Sequence, residues 1–456
     1  MRINARIQTV IELLELVYGD DAPADVIVNN YMRQRRFIGS TDRREIMEQF
    51  YDVVRARWRL DGYLAVAGIA GDQKRQLSRL HVMTYLMKEQ GKSRFDIEGI
   101  FNADLFSAPE LSLMEGMIAD KLIDIKRERL TEAAQLGVSE ASLLQFKETF
   151  PQSYKEEITA QHTTGRLDLR VNVLKTDVGN VERLLRKEKI QYEKSTYSPW
   201  GLRLRFRMPL SNHKLLTEGL VEIQDEGSQL VAMAVGAKPG MLVWDYCAGA
   251  GGKSLAMAAT MQNKGRLIAS DALVWRLNKA PQRFRRAGIH NIECRALEGD
   301  NLKWVKRQYG KSDRVLVDAP CSGSGTWRRN PELKWRMTDK DIAEICVKQS
   351  EILDKAANLV KPGGRLIYAT CSLYSQENQG QIKSFLERHP NFTVVPVELE
   401  IEEKVSLTPE GYLQLTPFQH GMDGFFACVM ERKVEVKMAK EGVESVEVKE
   451  LVEAPE

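Results

Sequence analysis

Apolar residues recur at helical spacing through the first 125 residues of the chain. One such set is formed by Ile7, Val10, Ile11, Leu14 and Val17. Residues three and four apart lie on the same side of a helix, so these side chains share one face. The segment 46–54 repeats the pattern. Residues 1–125 are therefore predicted to be all-helical.

The pattern changes between residues 126 and 235. The segments LDLRVNVLK and GLRLRFRM alternate apolar and polar residues, as half-buried strands do, and VERLLRKEKI between them has helical spacing. A small α+β subdomain is expected here.

From Met241 onward, short apolar segments alternate with helical stretches. The predicted strands are MLVWD (241–245), RLIASD (266–271), NIECRA (291–296), DRVLVDA (313–319), RLIYATCS (365–372), TVVPV (393–397) and GFFACVMER (424–432). The clearest helical pattern is 342–360. Repeated strand–helix units predict an α/β fold with a doubly wound, mostly parallel sheet.

Composition and charge narrow the class of protein. The 456 residues are 43% hydrophobic, but no apolar run reaches the length that a membrane helix needs, so a cytoplasmic protein is expected. The six cysteines and six histidines are scattered, which predicts neither a zinc site nor a disulfide framework. The net charge is +3, and the segment 433–456 has four lysines against seven glutamates. We expect this tail to be disordered and the rest to be basic enough for nucleic acid.

A glycine-rich loop follows the first strand of the α/β region. The strand ends in Asp245 and runs into YCAGAGGKS (246–254) before a helix. Glycines let the backbone approach a ligand at the carboxyl end of a strand, where open α/β sheets bind nucleotides. Asp271 closes the second strand, 20 residues after Gly251, where an acid would hold ribose hydroxyls.

Two other nucleotide-binding motifs fit this loop poorly. A phosphate-binding loop would need glycine at position 247, which is Cys247. A dinucleotide fingerprint starting at Gly249 would need glycine at position 254, which is Ser254. The remaining interpretation is the nucleoside-binding loop of methyltransferases, whose sequence pattern is less strict.

Two cysteines follow later strands of the same predicted sheet. The fourth strand ends in DAPCSGSG (318–325) and the fifth in ATCS (369–372). Neighbouring parallel strands end at the same edge, so Cys321 and Cys371 should lie beside the nucleoside loop. A thiolate that attacks carbon 6 of cytosine turns carbon 5 into a nucleophile, and a second acid/base group must then help to release the product. Two thiols and Asp318 match that chemistry.

These motifs resemble the RsmB/NOP2/Sun family of RNA cytosine-5 methyltransferases. The resemblance rests on CAGAGGK, DAPCSGSG and ATCS, with RVN (170–172), QDEGS (224–228), RNP (329–331) and DGFF (423–426) as further signatures. It implies a class I methyltransferase Rossmann-like sheet at 236–432, after the α+β subdomain at 126–235. Residues 1–125 are similar to the NusB-like RNA-binding domain of the bacterial RsmB-like branch.

The resemblance also implies roles for individual residues. Cys371 would be the nucleophile, Cys321 would assist product release, and Asp318 would contact the cytosine or the reactive end of the cofactor. The residues that would hold S-adenosyl-L-methionine are Cys247, Ala248, Gly249, Ala250, Gly251, Gly252, Lys253, Asp271, Asp300 and Asp318. The family's loop usually has proline where this chain has Ala250, which would make the loop more flexible.

Basic residues predict a track for RNA phosphates. Arg203, Arg205 and Arg207 alternate with apolar residues, so a strand would project all three from one face. Arg329 and Lys334, close to the predicted catalytic strand, would extend the track. The alternative is an ordinary solvated sheet face.

The sequence thus favours an RNA cytosine-5 methyltransferase that acts as a monomer, without metal and without a membrane. Ribosomal RNA is favoured over transfer RNA because of the NusB-like region. One alternative is an RNA-binding assembly protein that uses the fold as a scaffold, but such a protein would not need both thiols. Another is an exocyclic amino-group methyltransferase, which normally has an aromatic residue where this chain has Cys321.

Overall fold

The computed structural model describes residues 1–69, 74–101, 109–206, 208, 210–403 and 405–434. The predicted helical start of the chain is confirmed. Its helices are α1 (Ile3–Gly19), α2 (Ala24–Gln34), α3 (Ser40–Val66), α4 (Lys74–Lys88), α5 (Arg94–Phe101), α6 (Pro109–Ile123), α7 (Glu132–Leu136), α8 (Glu140–Thr149) and α9 (Tyr154–Ala160). Apolar faces of α1, α3 and α4 form one core around Leu14, Phe50 and Leu86. Helices continue to Ala160, beyond the boundary expected near residue 125.

A four-stranded antiparallel sheet follows the helices. Its elements are β1 (Leu167–Val171), α10 (Val178–Lys187), β2 (Tyr192–Lys194), β3 (Gly201–Leu204), α11 (Lys214–Thr217) and β4 (Val221–Ile223), with the strand order β2-β3-β1-β4. Leu169, Leu202 and Val181 are fully buried between the sheet and α10. The two strands and the helix predicted for this segment are confirmed.

The described residues between 226 and 432 form an α/β unit around one large sheet. Its elements are α12 (Glu226–Ala234), β5 (Leu242–Asp245), α13 (Gly252–Thr260), β6 (Arg266–Asp271), α14 (Val274–Leu277), α15 (Ala280–Ala287), β7 (Ile292–Ala296), α16 (Asn301–Lys306), β8 (Ser312–Asp318), α17 (Leu333–Arg336), α18 (Asp339–Ala357), β9 (Val360–Thr370), α19 (Gln379–Arg388), β10 (Phe392–Val395), β11 (Leu413–Leu415), α20 (Pro417–His420) and β12 (Phe425–Arg432).

The strand order of the large sheet is β10-β12-β9-β8-β5-β6-β7, with β11 paired to β12. Strands β9, β8, β5, β6 and β7 are parallel, and β12 is antiparallel to its neighbours. Successive residues of β9 enter different cores: Ile367 packs on one face and Tyr368 on the other, and both are fully buried. A sheet covered on both faces explains why its strands are almost continuously apolar. The predicted doubly wound sheet is confirmed.

This topology sets the position of the polar strand ends. Because β5, β6, β8 and β9 run parallel, Asp245, Asp271, Asp318 and Thr370 all lie at the carboxyl edge of the sheet. The order of β5 and β8 reverses the direction in which the chain winds, so a crevice is expected above them.

A connector at 327–336 docks the α/β unit against the helical start of the chain. Trp327 is 2% exposed and packs on Phe146 and Tyr374, so it is a core residue. Arg336 donates to backbone oxygens after α1, including that of Ala22 at 2.7 Å. The segment that follows β8 therefore lies at the interface between the helical region and the α/β unit.

The expectation that Lys334 contacts RNA is wrong. Its side chain is buried, and its Nζ lies 3.0 Å from Nδ1 of His162 and 3.3 Å from the backbone oxygen of Arg55. Burial and the neighbouring arginines Arg59 and Arg55 lower the pKa of Lys334 well below its usual value. The lysine therefore belongs to the interface between the helices and the α/β unit.

Within the described residues, the helices are all too short or too polar to span a bilayer. Residues 435–456 lie outside the described residues, so the disorder expected for this tail stays a prediction.

Candidate active site

The glycine-rich loop between β5 and α13 is held by Asp271 at the end of β6. Its Oδ2 accepts from the backbone N–H of Gly249 at 2.7 Å, and its Oδ1 accepts from that of Leu273 at 2.7 Å. Gly251 has φ +79°, and a Cβ there would lie 2.6 Å from the ring of Phe284. Glycine is required at this position because the left-handed backbone and the close ring both exclude a side chain.

Other parts of the fold fix the rest of the loop. The N–H of Ala248 donates to the oxygen of Ser270 at 2.8 Å. Arg283 donates to the oxygen of Ala250 at 2.7 Å. Arg170 of β1 donates to the oxygen of Gly252 at 2.9 Å, so the small sheet supports the loop directly. These contacts restrain the loop although position 250 is not proline.

A buried carboxylate lies below the loop. Asp245 is 1% exposed, and its Oδ2 accepts from the hydroxyl of Ser254 at 2.5 Å. Burial raises the pKa of Asp245 to about 7, although the hydroxyl partly offsets this effect. Its Oδ1 accepts no hydrogen bond from a described residue. An unsatisfied acceptor, a second carboxylate at Asp271 and a bent glycine loop fit a polar nucleoside ligand.

Two residues expected in the cofactor site differ from the others. The side chain of Cys247 packs against an apolar core, and burial raises its pKa well above the usual value, so it contributes as an apolar group. Asp300 lies beyond β7, is 96% exposed and pairs with Lys303 at 3.1 Å. Its contact with the cofactor stays a prediction.

The structure brings Cys321 and Cys371 together at the carboxyl edge. Their Sγ atoms are 3.4 Å apart. The N–H of Gly325 donates to the oxygen of Cys371 at 2.9 Å, and a Cβ on Gly325 would lie 2.4 Å from the oxygen of Gly424. Glycine at position 325 thus allows the two cysteine loops and the start of β12 to meet.

The surroundings of Cys321 favour its protonated form. The hydrogen bond to Cys371, burial and the negative charges of Cys371 and Glu377 all raise the pKa of Cys321 well above its usual value. Cys321 therefore holds its proton more tightly than an ordinary thiol does.

Lys253 at the start of α13 bridges from the glycine loop to the cysteine strand. Its Nζ lies 2.7 Å from Oδ2 of Asp318. Burial disfavours the ammonium, but the charges of Asp318 and Cys371 outweigh it and raise the pKa of Lys253. The ammonium of Lys253 thus stands beside both the Asp318 carboxylate and the Cys371 sulfur.

The other signature segments meet beside this site. Arg170 donates to Oε1 of Gln224 at 2.5 Å. Arg329 pairs with Asp225 at 2.8 Å and also with Asp423. These four segments come from the small sheet, α12, the connector and the loop before β12, so they lock the subdomain onto the α/β unit. Its guanidinium is paired with these carboxylates, and the contact of Arg329 with RNA stays a prediction.

The proposed arginine track on β3 is also wrong in part. Arg203 is 7% exposed, and its guanidinium lies 2.6 Å from Asp168 and 3.1 Å from Glu226. Arg205 lies beyond the end of β3 and is exposed, so its contact with RNA stays a prediction. Arg207 lies outside the described residues.

Arg203→Ala and Arg205→Ala should therefore differ in stability. The first leaves two buried carboxylates without their cation and should lower the free energy of unfolding by about 3–5 kcal/mol. The second should change it by about 0.5 kcal/mol at most. Urea denaturation of both variants measures the difference. Equal losses would mean that Arg203 does not hold the subdomain together.

Sequence reasoning missed a buried network behind the two cysteines. Glu377, in a short 3-10 helix after β9, accepts hydrogen bonds from Ser322 and Ser372, which follow the two cysteines directly. Glu377 lies only six residues after Cys371, but nothing in the local pattern shows that it reaches the other loop as well.

Comparison with known proteins places the chain in a family. Residues 232–431 match the profile of 16S rRNA methyltransferase RsmB/F, and residues 143–211 match the ferredoxin-like domain of RsmF/B-like methyltransferases.

Within the described residues, no three histidine, cysteine or acidic side chains are grouped so that they could hold a metal ion.

Individual relatives extend the match to almost the whole chain. A probable ribosomal RNA small subunit methyltransferase B of Synechocystis is 30% identical over 452 residues, which cover 94% of this chain and 100% of that protein. Its counterpart in Bacillus subtilis is 35% identical over 58% of this chain and 59% of its own length. The crystal structure of PH0851 superposes with a TM-score of 0.77 at 24% identity, over 95% of this chain and 99% of that one, and shares the fold. The chain therefore belongs to the RsmB/F family of rRNA methyltransferases, whose cofactor is S-adenosylmethionine.

Proposed function

We propose that this enzyme methylates carbon 5 of a cytosine in small-subunit ribosomal RNA, with Cys371 as covalent nucleophile. The observation that carries the proposal is the pair of sulfur atoms 3.4 Å apart at the carboxyl edge of the sheet, beside the ion pair of Lys253 and Asp318. Methylation of an exocyclic amino group needs no thiol, whereas attack on carbon 6 needs one.

Asp318 and Lys253 offer a complementary edge to cytosine. The base presents an amino donor at position 4 next to acceptors at positions 3 and 2. The Asp318 carboxylate, whose side chain is 30% exposed, can accept from the amino group. The Lys253 ammonium beside it can donate to the adjacent acceptors. Uracil has an acceptor at position 4, so the carboxylate would repel it.

The side chains then act in order. Cys371 attacks carbon 6, and the electron pair of the C5–C6 bond moves to carbon 5, which takes up the methyl group. A water molecule takes the proton from carbon 5, and the electrons of that C–H bond re-form the C5–C6 double bond and expel the Cys371 thiolate. Cys321, 3.4 Å away, donates its proton toward the departing sulfur and supports this last step.

When bound, S-adenosylmethionine supplies the electrophilic methyl group. The loop 247–253 and the carboxylates of Asp245 and Asp271 would hold it, since they form the polar crevice above β5 and β6. Exposed Arg205 and the helical region at the start of the chain would bind RNA, in keeping with the names of the relatives.

Asp271→Ala should weaken S-adenosylmethionine binding by about 1–3 kcal/mol, because it removes a charged acceptor for the ribose hydroxyls and the restraint on Gly249. Calorimetric titration measures the affinity. Glu344→Ala, an exposed acid on α18, is the matched control and should bind normally. An unchanged affinity for Asp271→Ala would remove this carboxylate from the cofactor site.

The proposed product is tested by chromatography and mass spectrometry of nucleosides from small-subunit rRNA of cells with and without the gene. Loss of 5-methylcytidine in the deletion strain is expected, and bisulfite sequencing would then locate the residue. Loss of N4-methylcytidine instead would assign the enzyme to the exocyclic amino class.

A further inference from the structure

We propose that Glu377 is a positioning residue of this active site: its carboxylate holds the loops that carry Cys321 and Cys371 at the separation that covalent catalysis needs. The inference rests on the proposed function. Glu377 is 0% exposed, so it cannot touch RNA or cofactor and acts only through other residues.

The carboxylate contacts the residue that follows each cysteine. Its Oε2 accepts from the backbone N–H of Ser322 at 2.8 Å, and its Oε1 accepts from the hydroxyls of Ser322 and Ser372, the latter at 2.5 Å. One rigid group thus joins two loops that lie 50 residues apart in the sequence. A shift of the carboxylate would move both sulfur atoms.

The hydrogen bonds around Glu377 match the ionised carboxylate. Besides the three bonds to serines, Oε2 accepts from Nε2 of Gln349 at 3.0 Å. Four donors fill the four lone-pair directions of a carboxylate, which has no proton to give. Gln349 also donates to the oxygen of Pro320 at 2.9 Å, immediately before Cys321. The Cys321 loop is thus fixed on both sides.

The Cys371 loop is fixed on both sides as well. The hydroxyl of Thr370, immediately before Cys371, donates to Oδ1 of Asn378 at 2.6 Å. Nδ2 of Asn378 donates to the oxygen of Ser372 at 2.9 Å. Glu377 and Asn378 are adjacent, so a single turn of chain after β9 holds the residues before and after the nucleophile.

The buried charge also bears on the chemistry of the thiols. Glu377 is one of the groups that raise the pKa of Cys321, after Cys371 itself and burial. A negative charge next to the Cys321 loop keeps that sulfur protonated, so it does not compete with Cys371 as a nucleophile. A neutral side chain at position 377 would lose this effect even if the loops kept their places.

Two variants separate position from charge. Glu377→Gln removes the charge and turns two acceptor directions into donors, whereas Ser372→Ala removes one link and keeps the charge. Glu387→Gln, an exposed acid on α19, is the matched control. Full-length proteins are treated with diamide, which oxidises two adjacent thiols to a disulfide, and the Cys321–Cys371 bridge is quantified by peptide mass spectrometry.

Both variants should form the bridge about tenfold more slowly than the wild type, because small displacements strongly slow reactions between fixed groups. In addition, the pH midpoint for alkylation of Cys321 by iodoacetamide should fall in Glu377→Gln and stay unchanged in Ser372→Ala. With small-subunit rRNA transcript as substrate, kcat should fall in Glu377→Gln at unchanged KM.

Unchanged bridging and an unchanged alkylation profile in a folded Glu377→Gln protein would overturn the inference. If that variant fails to bind S-adenosylmethionine and has lost its fold, normal bridging in Ser372→Ala would overturn it. Bridging and alkylation need neither RNA nor methyl transfer. A wild type that bridges fast but makes no 5-methylcytidine would therefore refute the proposed function and leave the role of Glu377 standing.

Discussion

Cys371→Ala is expected to abolish methylation and to form no covalent complex with RNA. Without the thiol nothing attacks carbon 6, so carbon 5 is never activated. The variant should still bind S-adenosylmethionine, because Cys371 follows β9 whereas the glycine loop follows β5. Methyl transfer to small-subunit rRNA transcript, denaturing electrophoresis of enzyme with RNA, and calorimetry with the cofactor measure the three properties.

Cys321→Ala should fail at a later step. Attack and methyl transfer can occur, but expulsion of the Cys371 thiolate lacks the neighbouring proton donor. A protein–RNA species that survives denaturing electrophoresis and depends on S-adenosylmethionine should accumulate. Cys346→Ala, which replaces a half-buried thiol of α18, is the control and should turn over normally.

The opposite pattern would reverse the roles. A trapped complex with Cys371→Ala would make Cys321 the nucleophile, as in DNA cytosine methyltransferases, which use the thiol after the proline. Full activity in both variants would remove covalent catalysis from the mechanism.

The convergence of the two cysteines could be predicted because it depends on topology alone. Parallel strands of a doubly wound sheet end at one edge, and the apolar segments identified the strands. The 3.4 Å separation of the two sulfur atoms could not be predicted, since it depends on the contacts of Glu377 with Ser322 and Ser372. These polar residues leave no periodic pattern in the sequence.

The arginine track shows where periodicity misleads. Alternation along β3 says that Arg203 and the leucines point to opposite faces, but not what covers each face. Asp168 of β1 and Glu226 of α12 cover the polar face and bury the guanidinium. The prediction that Lys334 contacts RNA fails for a related reason, because the helical region packs over the connector that carries this lysine. Docking of separate units cannot be read from local spacing.

The four signature segments acquire a common physical role in the structure. Their ion pairs and hydrogen bonds join the small sheet to the α/β unit, and Arg170 reaches the oxygen of Gly252 in the cofactor loop. The position of the small sheet therefore affects the shape of the crevice formed by the glycine loop, because Arg170 connects the two.

Lys253→Met should lower the rate of methylation by about 10²–10³-fold, the usual cost of removing one preorganised donor from a reaction site. The ammonium, 2.7 Å from Asp318, is expected to hold the cytosine edge and to stabilise the Cys371 thiolate. Alkylation of Cys371 by iodoacetamide at pH 7 should slow in parallel. Single-turnover methylation of small-subunit rRNA transcript and peptide mass spectrometry measure the two rates.

The same variant tests whether Lys253 also holds the cofactor, as its place in the loop suggested. Because the side chain points to Asp318 and the cysteine strand, the affinity for S-adenosylmethionine should change by less than about tenfold, or 1.4 kcal/mol. Lys253→Arg keeps the charge and should retain part of the rate, and Lys264→Met, an exposed lysine just after α13, should behave as wild type. If the affinity for cofactor fell as far as the rate, Lys253 would belong to the cofactor site, and recognition of cytosine would be left to Asp318 alone.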